Sequence, residues 1–348
     1  MDRCDKANVR LAIGLGLAVL IAYGAALPMP FAVCVMAVIL LCKPGPPIPV
    51  AKGIVLALGL TALLSGGVLM VPVLENYAFA GIVLTAAVLY GVFRLGARGG
   101  AITTILAMAF ALMPVAGVAE QALVGRLSVT LALGVLVGVL VGALSHAFFP
   151  DAPAASRVQS AATSLRNESA HWIALRATLI VMPVFVLALV NPSLYVATIM
   201  KTVALSQQAE ETQASHAGRE LVGSTLVGVL LAAVLWMGLS LLPNLWMLML
   251  WMMLAALWTG ARLFGVQSSA HPPTFWSNAL ITALILFGPA IEDSANGKGV
   301  LQASLVRTGL FVAVALYAWA TIYALERWRD AHFRPRAVIA QLFPGHRP

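Results

Sequence analysis

Long apolar stretches follow one another along almost the whole chain, separated by short polar or proline-containing breaks. A helix needs about 20 apolar residues to cross the roughly 30 Å core of a bilayer, so these stretches predict membrane spans. They are too continuous for the alternating pattern of a membrane barrel, and backbone groups in lipid must bond internally, which leaves helices. We predict an all-α, polytopic membrane helix bundle of about twelve spans. The predicted spans are residues 11–27, 31–42, 54–71, 77–93, 101–118, 127–149, 172–190, 193–205, 221–242, 245–264, 275–290 and 301–325.

The composition supports a membrane protein, and the motifs that the sequence lacks restrict its possible functions. Of the 348 residues, 61% are hydrophobic and only 10% are charged, whereas soluble domains carry about 25% charged residues. Basic residues precede the first apolar run, but further spans follow at once, so we expect a retained span and not a cleaved signal peptide. The sequence has no HExxH, GxSxG or Walker pattern and no clustered metal ligands, so we predict neither an enzyme nor a cofactor.

The distribution of positive charge predicts the orientation. With the amino terminus in the cytoplasm and twelve spans, all lysines and arginines except Arg126, Lys298 and Arg307 fall toward the cytoplasmic side, as the positive-inside rule requires, although Lys201 and several arginines lie partly within spans. We therefore expect a multi-pass protein of the bacterial inner membrane with both termini cytoplasmic. The net charge of +8 is explained by this topology and by contact with anionic lipid, so nucleic-acid binding is not expected.

The chain is predicted to consist of two related halves. Each half has a basic lead-in (Arg10, Arg176), an apolar span ending near proline, and then an unusually short apolar segment. Six spans per half give both halves the same orientation, as in a fused dimer. The predicted organisation is a six-helix repeat at 1–150, a cytoplasmic connector at 151–170, a second six-helix repeat at 171–326 and a basic cytoplasmic tail at 327–348.

One motif follows the short segment of the second half. Residues 217–228 read AGRELVGSTLVG, which is similar to an Arg-x-x-Gly-Thr-x-x-Gly pattern, with the glycine one place later and Ser224 before Thr225. On this motif and the Pro44–Pro47 run, the chain resembles the fusaric-acid-resistance or aromatic-acid-exporter (FUSC-like) family, in its short variants without the large cytoplasmic domain. The resemblance implies export of aromatic carboxylic acids or drugs, often with a periplasmic adaptor (membrane-fusion) subunit.

Paired short or interrupted segments are the best sequence pointer to a transporter site. The segment 31–42 is followed by Pro44, Gly45, Pro46 and Pro47, which cannot continue a helix and would leave backbone groups free for an ion. The alternative is that this run is only a tight cytoplasmic turn.

Lys201 is the strongest single candidate for a substrate-binding residue. It lies nine residues after Pro192, about 13 Å along a helix, which is near the bilayer middle. An ammonium there costs at least ~2.5–3.5 kcal/mol and usually faces a partner, a cavity or a substrate. Thr198 and Gln208 share its helix face, and we add Pro192 and Arg219 to the predicted substrate site. The alternatives are that Lys201 snorkels to the inner interface and that Arg219 only anchors a cytoplasmic span end.

Two arginines lie on the predicted outer side. Arg126 and Arg307 either attract anions to an outer vestibule or pair with Glu120 and Glu292, and pairing is favoured.

Three functions are compatible with these patterns. The leading hypothesis is a secondary exporter of small organic anions that works by alternating access, with a midplane site at Lys201 and the short segments between two pseudo-symmetric halves. No carboxylate lies deep in a predicted span, which favours the alternative of a passive anion channel built as a pseudo-dimer. A third possibility is a membrane scaffold for a periplasmic adaptor subunit. Expected partners are a small organic anion, membrane lipid, such an adaptor and further copies of the chain.

Overall fold

The computed structural model describes residues 3–42, 48–68, 70–96, 101–150, 167–211, 217–295 and 300–333. Within these ranges the regular secondary structure is entirely α-helical, which confirms the predicted class. The helices are α1 (Arg3–Gly24), α2 (Pro30–Leu41), α3 (Val50–Val68), α4 (Met70–Asn76), α5 (Ala78–Gly96), α6 (Ala101–Ala119), α7 (Gln121–Phe148), α8 (Asn167–Val190), α9 (Pro192–Glu211), α10 (Ala217–Leu241), α11 (Leu245–Leu263), α12 (Pro273–Ala295) and α13 (Val300–Phe333).

The helices form a membrane bundle. Eight helices of the described part, α1, α5, α7, α8, α10, α11, α12 and α13, are long and apolar enough to cross a bilayer, and α2, α3 and α6 contain shorter apolar stretches. Large apolar side chains on the outer helices are exposed, with Phe79 at 82% and Val190 at 81%. Together with the length of these apolar helices, such a surface indicates contact with lipid. The chain is therefore a multi-pass membrane protein.

Local signals explain several helix boundaries. Proline is the first residue of α2, α9 and α12, where its missing N–H costs no hydrogen bond and its fixed φ suits the first turn. Asn244 caps α11, because its side-chain oxygen accepts a 2.8 Å hydrogen bond from the backbone N–H of Met247. Gly265 follows the end of α11 with a φ of 76°, which glycine adopts without a Cβ penalty.

Four helices occupy the centre of the bundle. Helix α2 contacts α6 and α12, and α9 contacts the same two helices, so these four form a closed ring. Long runs of each are buried on every side, such as residues 31–39 of α2 and 197–206 of α9. Apolar residues all around a helix require such a position. The two short segments picked out from the sequence thus belong to central helices.

The other helices pack around this ring. Helix α1 lies against α11 and α5 lies against α8, so the early and late parts of the chain interlock at both sides of the ring. The predicted third span, 54–71, corresponds to α3 and the start of α4. Most of the predicted connector, residues 151–166, and residues 334–348 of the predicted tail lie outside the described residues.

Candidate functional site

The predicted central cation, Lys201, lies in the middle of α9 and is fully buried, with 0% of its surface exposed. Helix α9 runs without interruption over 20 residues, about 30 Å, so the polar residues after Leu205 continue the helix that begins at Pro192. The ammonium points into the protein. The snorkelling alternative is therefore wrong, since that arrangement would leave the Nζ atom in water or among lipid headgroups.

Two side chains of α12 hold the ammonium. Lys201 Nζ donates to Asn278 Oδ1 at 3.1 Å and to Thr282 Oγ1 at 2.5 Å. Asn278 and Thr282 are four residues apart, so they lie on one face of α12, and both are buried. Thr282 also donates to the backbone oxygen of Asn278 at 2.6 Å, which directs an oxygen lone pair toward the lysine.

Helix α10 adds a third polar side chain, Ser224, which contacts Asn278. Asn278 Nδ2 donates to Ser224 Oγ at 2.6 Å, and Ser224 donates to the backbone oxygen of Leu221 at 3.1 Å. The chain of hydrogen bonds therefore runs from α9 through α12 to α10. These three helices contact one another, and we call Lys201, Asn278, Thr282 and Ser224 the lysine cluster.

Close packing of α10 against α12 depends on one glycine. A Cβ atom on Gly228 would lie 2.5 Å from Cβ of Thr282 and 2.7 Å from the backbone oxygen of Ala279. Real Cβ contacts are longer, so any larger residue would push the helices apart. Gly228 thus keeps Thr282 where it can accept from Lys201.

The charge of the lysine cluster is not balanced by a carboxylate among the described residues. Both partners of Lys201 are neutral oxygens, and an ammonium has three hydrogens to donate. One turn earlier on the same helix face, the Thr198 hydroxyl is buried and has no hydrogen-bond partner within the part of the chain that the structure describes. An anion would satisfy both groups, because it offers charge to one and acceptor atoms to both.

The predicted site residues divide between several places. Lys201 and Thr198 share the buried face of α9, and Pro192 begins that helix. Gln208 lies on α9, although its side chain is outside the described part. Arg219 is exposed and lines a groove at the start of α10, and it does not bond with Lys201. Pro44, Gly45, Pro46 and Pro47 lie outside the described residues.

The lysine cluster is formed by helices of the predicted second half. Among the described residues, the hydrogen-bond partners of Lys201 belong to α12, and the next partner belongs to α10. Helix α9 also contacts α6 of the predicted first half, so a site between the two halves stays a prediction.

The two arginines of the predicted outer side have acidic neighbours. Arg126 Nη2 lies 3.8 Å from Glu120 Oε1, and both side chains are more than half exposed. Arg307 Nη1 lies 2.6 Å from Asp293 Oδ2, and that pair is mostly buried. The ion pair that Arg307 forms is therefore with Asp293, the sequence neighbour of the predicted Glu292.

Sequence reasoning missed the polar partners of the lysine. Asn278 and Thr282 are separated by one helical turn inside an apolar span, and this spacing could have indicated a polar helix face. Nothing in the sequence connects that face to Lys201, which is 77 residues away from Asn278. In the part of the chain that the structure describes, no group of histidine, cysteine or acidic side chains is arranged to hold a metal ion.

Comparison with family models, with curated proteins and with solved structures gives no match for this chain. The resemblance to the FUSC-like family accordingly stays a prediction from the motifs.

Proposed function

We propose that this protein is an inner-membrane exporter of small organic anions, among which aromatic carboxylates are the first to test. The observation that carries the proposal is the full burial of Lys201, whose Nζ atom is held by neutral oxygens and has no carboxylate partner among the described residues. A cation removed from water costs several kcal/mol unless a counter-charge compensates it. A transported anion would supply that charge each time it binds.

The pattern of helix contacts supports two six-helix repeats and twelve spans, with α3 and α4 forming one span. Helix α1 packs against α2 and α7 as α8 packs against α9 and α13, and α1 meets α11 as α8 meets α5. Likewise α2 meets α12 as α9 meets α6. An even number of spans in each repeat gives the halves one orientation and puts both chain ends on the cytoplasmic side.

The two repeats differ in chemistry at the central helices. Lys201 lies nine residues after Pro192, and the residue nine places after Pro30 in the first half is Ile39. Ile39 is buried and apolar. The proposed anion site is therefore present once in each chain, in the second half only.

The mechanism we propose uses movement of the central ring. Helices α9 and α12 hold the lysine cluster, and each also contacts the first half, through α6 and α2. Rocking of one half against the other would displace these two helices and change access to the cluster. The anion would bind to Lys201 and Thr198, while Asn278 and Thr282 keep the ammonium in place.

Counterflow of radiolabelled benzoate in proteoliposomes tests this function. We expect Lys201→Met to lose at least about tenfold in uptake rate, equivalent to about 1.4 kcal/mol, and Lys201→Arg to keep part of it. Lys52→Met is the matched control, because Lys52 is an exposed lysine on α3. If folded Lys201→Met protein transports benzoate at the wild-type rate, Lys201 is not the anion site. If the wild type moves no organic anion of a broad acid panel, the transport function itself is wrong.

The second candidate function is a passive anion channel. It is favoured by the absence, in the whole sequence, of an acidic residue deep inside a span, since proton-coupled carriers usually need one. Recording in a planar bilayer separates the two functions. Steady single-channel current carried by chloride or benzoate would favour the channel, and counterflow without such current would favour the exporter.

A further inference from the structure

A groove lies at the end of the bundle where α10 and α12 begin. Its volume is about 710 Å³, and residues of α10, the α11–α12 loop, α12 and α13 line it. The polar groups on its wall are the guanidinium of Arg219 and the imidazole of His271, and the remaining wall is apolar or aromatic. The apolar lining side chains include Leu226, Phe275 and Trp319.

The groove opens sideways toward lipid. Leu226 and Trp319 are both more than two-fifths exposed, and exposed apolar side chains in this bundle face hydrocarbon. Arg219 is in the third position of α10, which places its charge at the membrane surface. One end of the groove is therefore charged and wet, and the other is apolar and accessible from the bilayer.

The charge at the wet end is available for a ligand. Among the described residues, no acidic side chain pairs with Arg219, and no side chain bonds to the ring nitrogens of His271. The imidazole stacks flat on Phe275, with 4.2 Å between ring centroids, so its position is held while its nitrogens stay open. A guanidinium that no described acidic side chain pairs with, on the same groove wall as an imidazole, suits a carboxylate.

The volume restricts the kind of ligand. About 710 Å³ falls within the roughly 300–1,000 Å³ of small-molecule pockets. A single apolar chain or ring fits such a space better than a two-chain phospholipid does. A ligand with one carboxylate and one apolar body would place its charge at Arg219 and its body between Leu226 and Trp319.

We propose that this groove is a second binding site, separate from the lysine cluster, for single-chain amphiphilic carboxylates that arrive from the bilayer. Such a ligand partitions into the membrane first, so the local concentration at the lateral opening is high. Binding at the groove does not depend on transport through Lys201. The two sites are nevertheless neighbours. On α12, Phe275 of the groove precedes Asn278 of the lysine cluster by about one turn. On α10, Gly223 is next to Ser224, and a Cβ atom on Gly223 would lie 3.1 Å from the Phe275 ring.

Binding of radiolabelled octanoate to the full chain in phosphatidylcholine nanodiscs tests the proposal. We expect saturable binding to the wild type and an affinity at least about tenfold weaker in Arg219→Gln. Leu226→Trp should also weaken binding at least about tenfold, since it fills the groove without changing charge and from a lipid-facing position that tolerates a larger side chain. Arg94→Gln is the matched control, because Arg94 is an exposed arginine at the end of α5.

Further measurements in the octanoate binding experiment distinguish binding in the groove from binding at the lysine cluster and from binding of lipid. Octanol should compete weakly, since it lacks the charge. Wild-type affinity in both Arg219→Gln and Leu226→Trp would overturn the groove. Loss of binding in Lys201→Met with retention in Arg219→Gln would show that octanoate binds at the lysine cluster instead. Displacement by phosphatidylglycerol without any octanoate binding would show a lipid site and overturn the proposal as well.

Discussion

Asn278 and Ser224 are joined by a 2.6 Å hydrogen bond in which the side-chain amide Nδ2 donates to the serine hydroxyl. Because Nδ2 is used in this way, the amide oxygen of Asn278 faces Lys201 and accepts from its ammonium. The negative end of a neutral dipole thus stabilises the lysine without cancelling its charge. In the proposed function, this arrangement would keep a cation in the bundle in a form that still attracts an anion.

Replacing Asn278 by aspartate should inactivate the site while leaving the fold intact. The carboxylate would take the place of the amide 3.1 Å from Nζ and supply a permanent counter-charge. A transported anion would then have to displace that carboxylate from Lys201 and would bind more weakly. We therefore expect Asn278→Asp to lower benzoate counterflow at least about tenfold. The thermal midpoint should be unchanged or higher, since an ion pair replaces an unbalanced charge.

Asn244→Asp is the control for that variant. Asn244 caps α11 through its side-chain oxygen, and aspartate caps helices equally well, so transport and stability should both stay at wild-type level. Wild-type counterflow by Asn278→Asp would contradict the idea that an uncompensated charge on Lys201 is what binds the anion.

Enlarging Gly228 should disturb the cluster through helix packing. The added methyl of Gly228→Ala would meet Thr282 and the backbone oxygen of Ala279, so α10 and α12 must separate and the bond from Lys201 to Thr282 lengthens. We expect a lower thermal midpoint and slower counterflow. Gly59→Ala is the control, because a Cβ atom there meets no other atom within 4 Å and alanine favours the helix. Equal behaviour of the two variants would argue against the packing role.

The two arginines of the predicted outer side should differ in their effect on stability. Arg307→Gln leaves Asp293 mostly buried without its partner, which should cost on the order of 1–3 kcal/mol. Arg126→Gln removes an exposed pair at 3.8 Å, and such pairs contribute about 0–1 kcal/mol. Thermal unfolding in detergent compares them, and an equal loss in both variants would mean that the Asp293 pair does not stabilise the fold.

The native cysteines offer a test of the proposed topology. Cys4 is exposed near the start of α1, whereas Cys34 is buried in α2. In a Cys42→Ser background, a membrane-impermeant maleimide should label the protein in inside-out vesicles and leave it unlabelled in right-side-out vesicles. Cys4→Ser in the same background should remove the label. Labelling only from the outside would reverse the orientation of every span.

The sequence was sufficient to predict that the protein is a helical membrane protein and that Lys201 faces its interior. Apolar stretches of membrane length must form helices, because lipid offers no partner for backbone N–H and C=O groups. For the same energetic reason, a lysine in the middle of such a stretch had to face protein or ligand, and Lys201 does.

The tertiary structure decided what surrounds that lysine. Asn278, Thr282 and Ser224 are ordinary helix residues in the sequence, and they gain a role only because α10 and α12 pack beside α9 at Gly228. Contacts between distant helices depend on how side chains of all three fit together, which no local pattern contains. The same packing placed Arg219 in a separate groove and brought Arg307 into an ion pair with Asp293, the neighbour of Glu292.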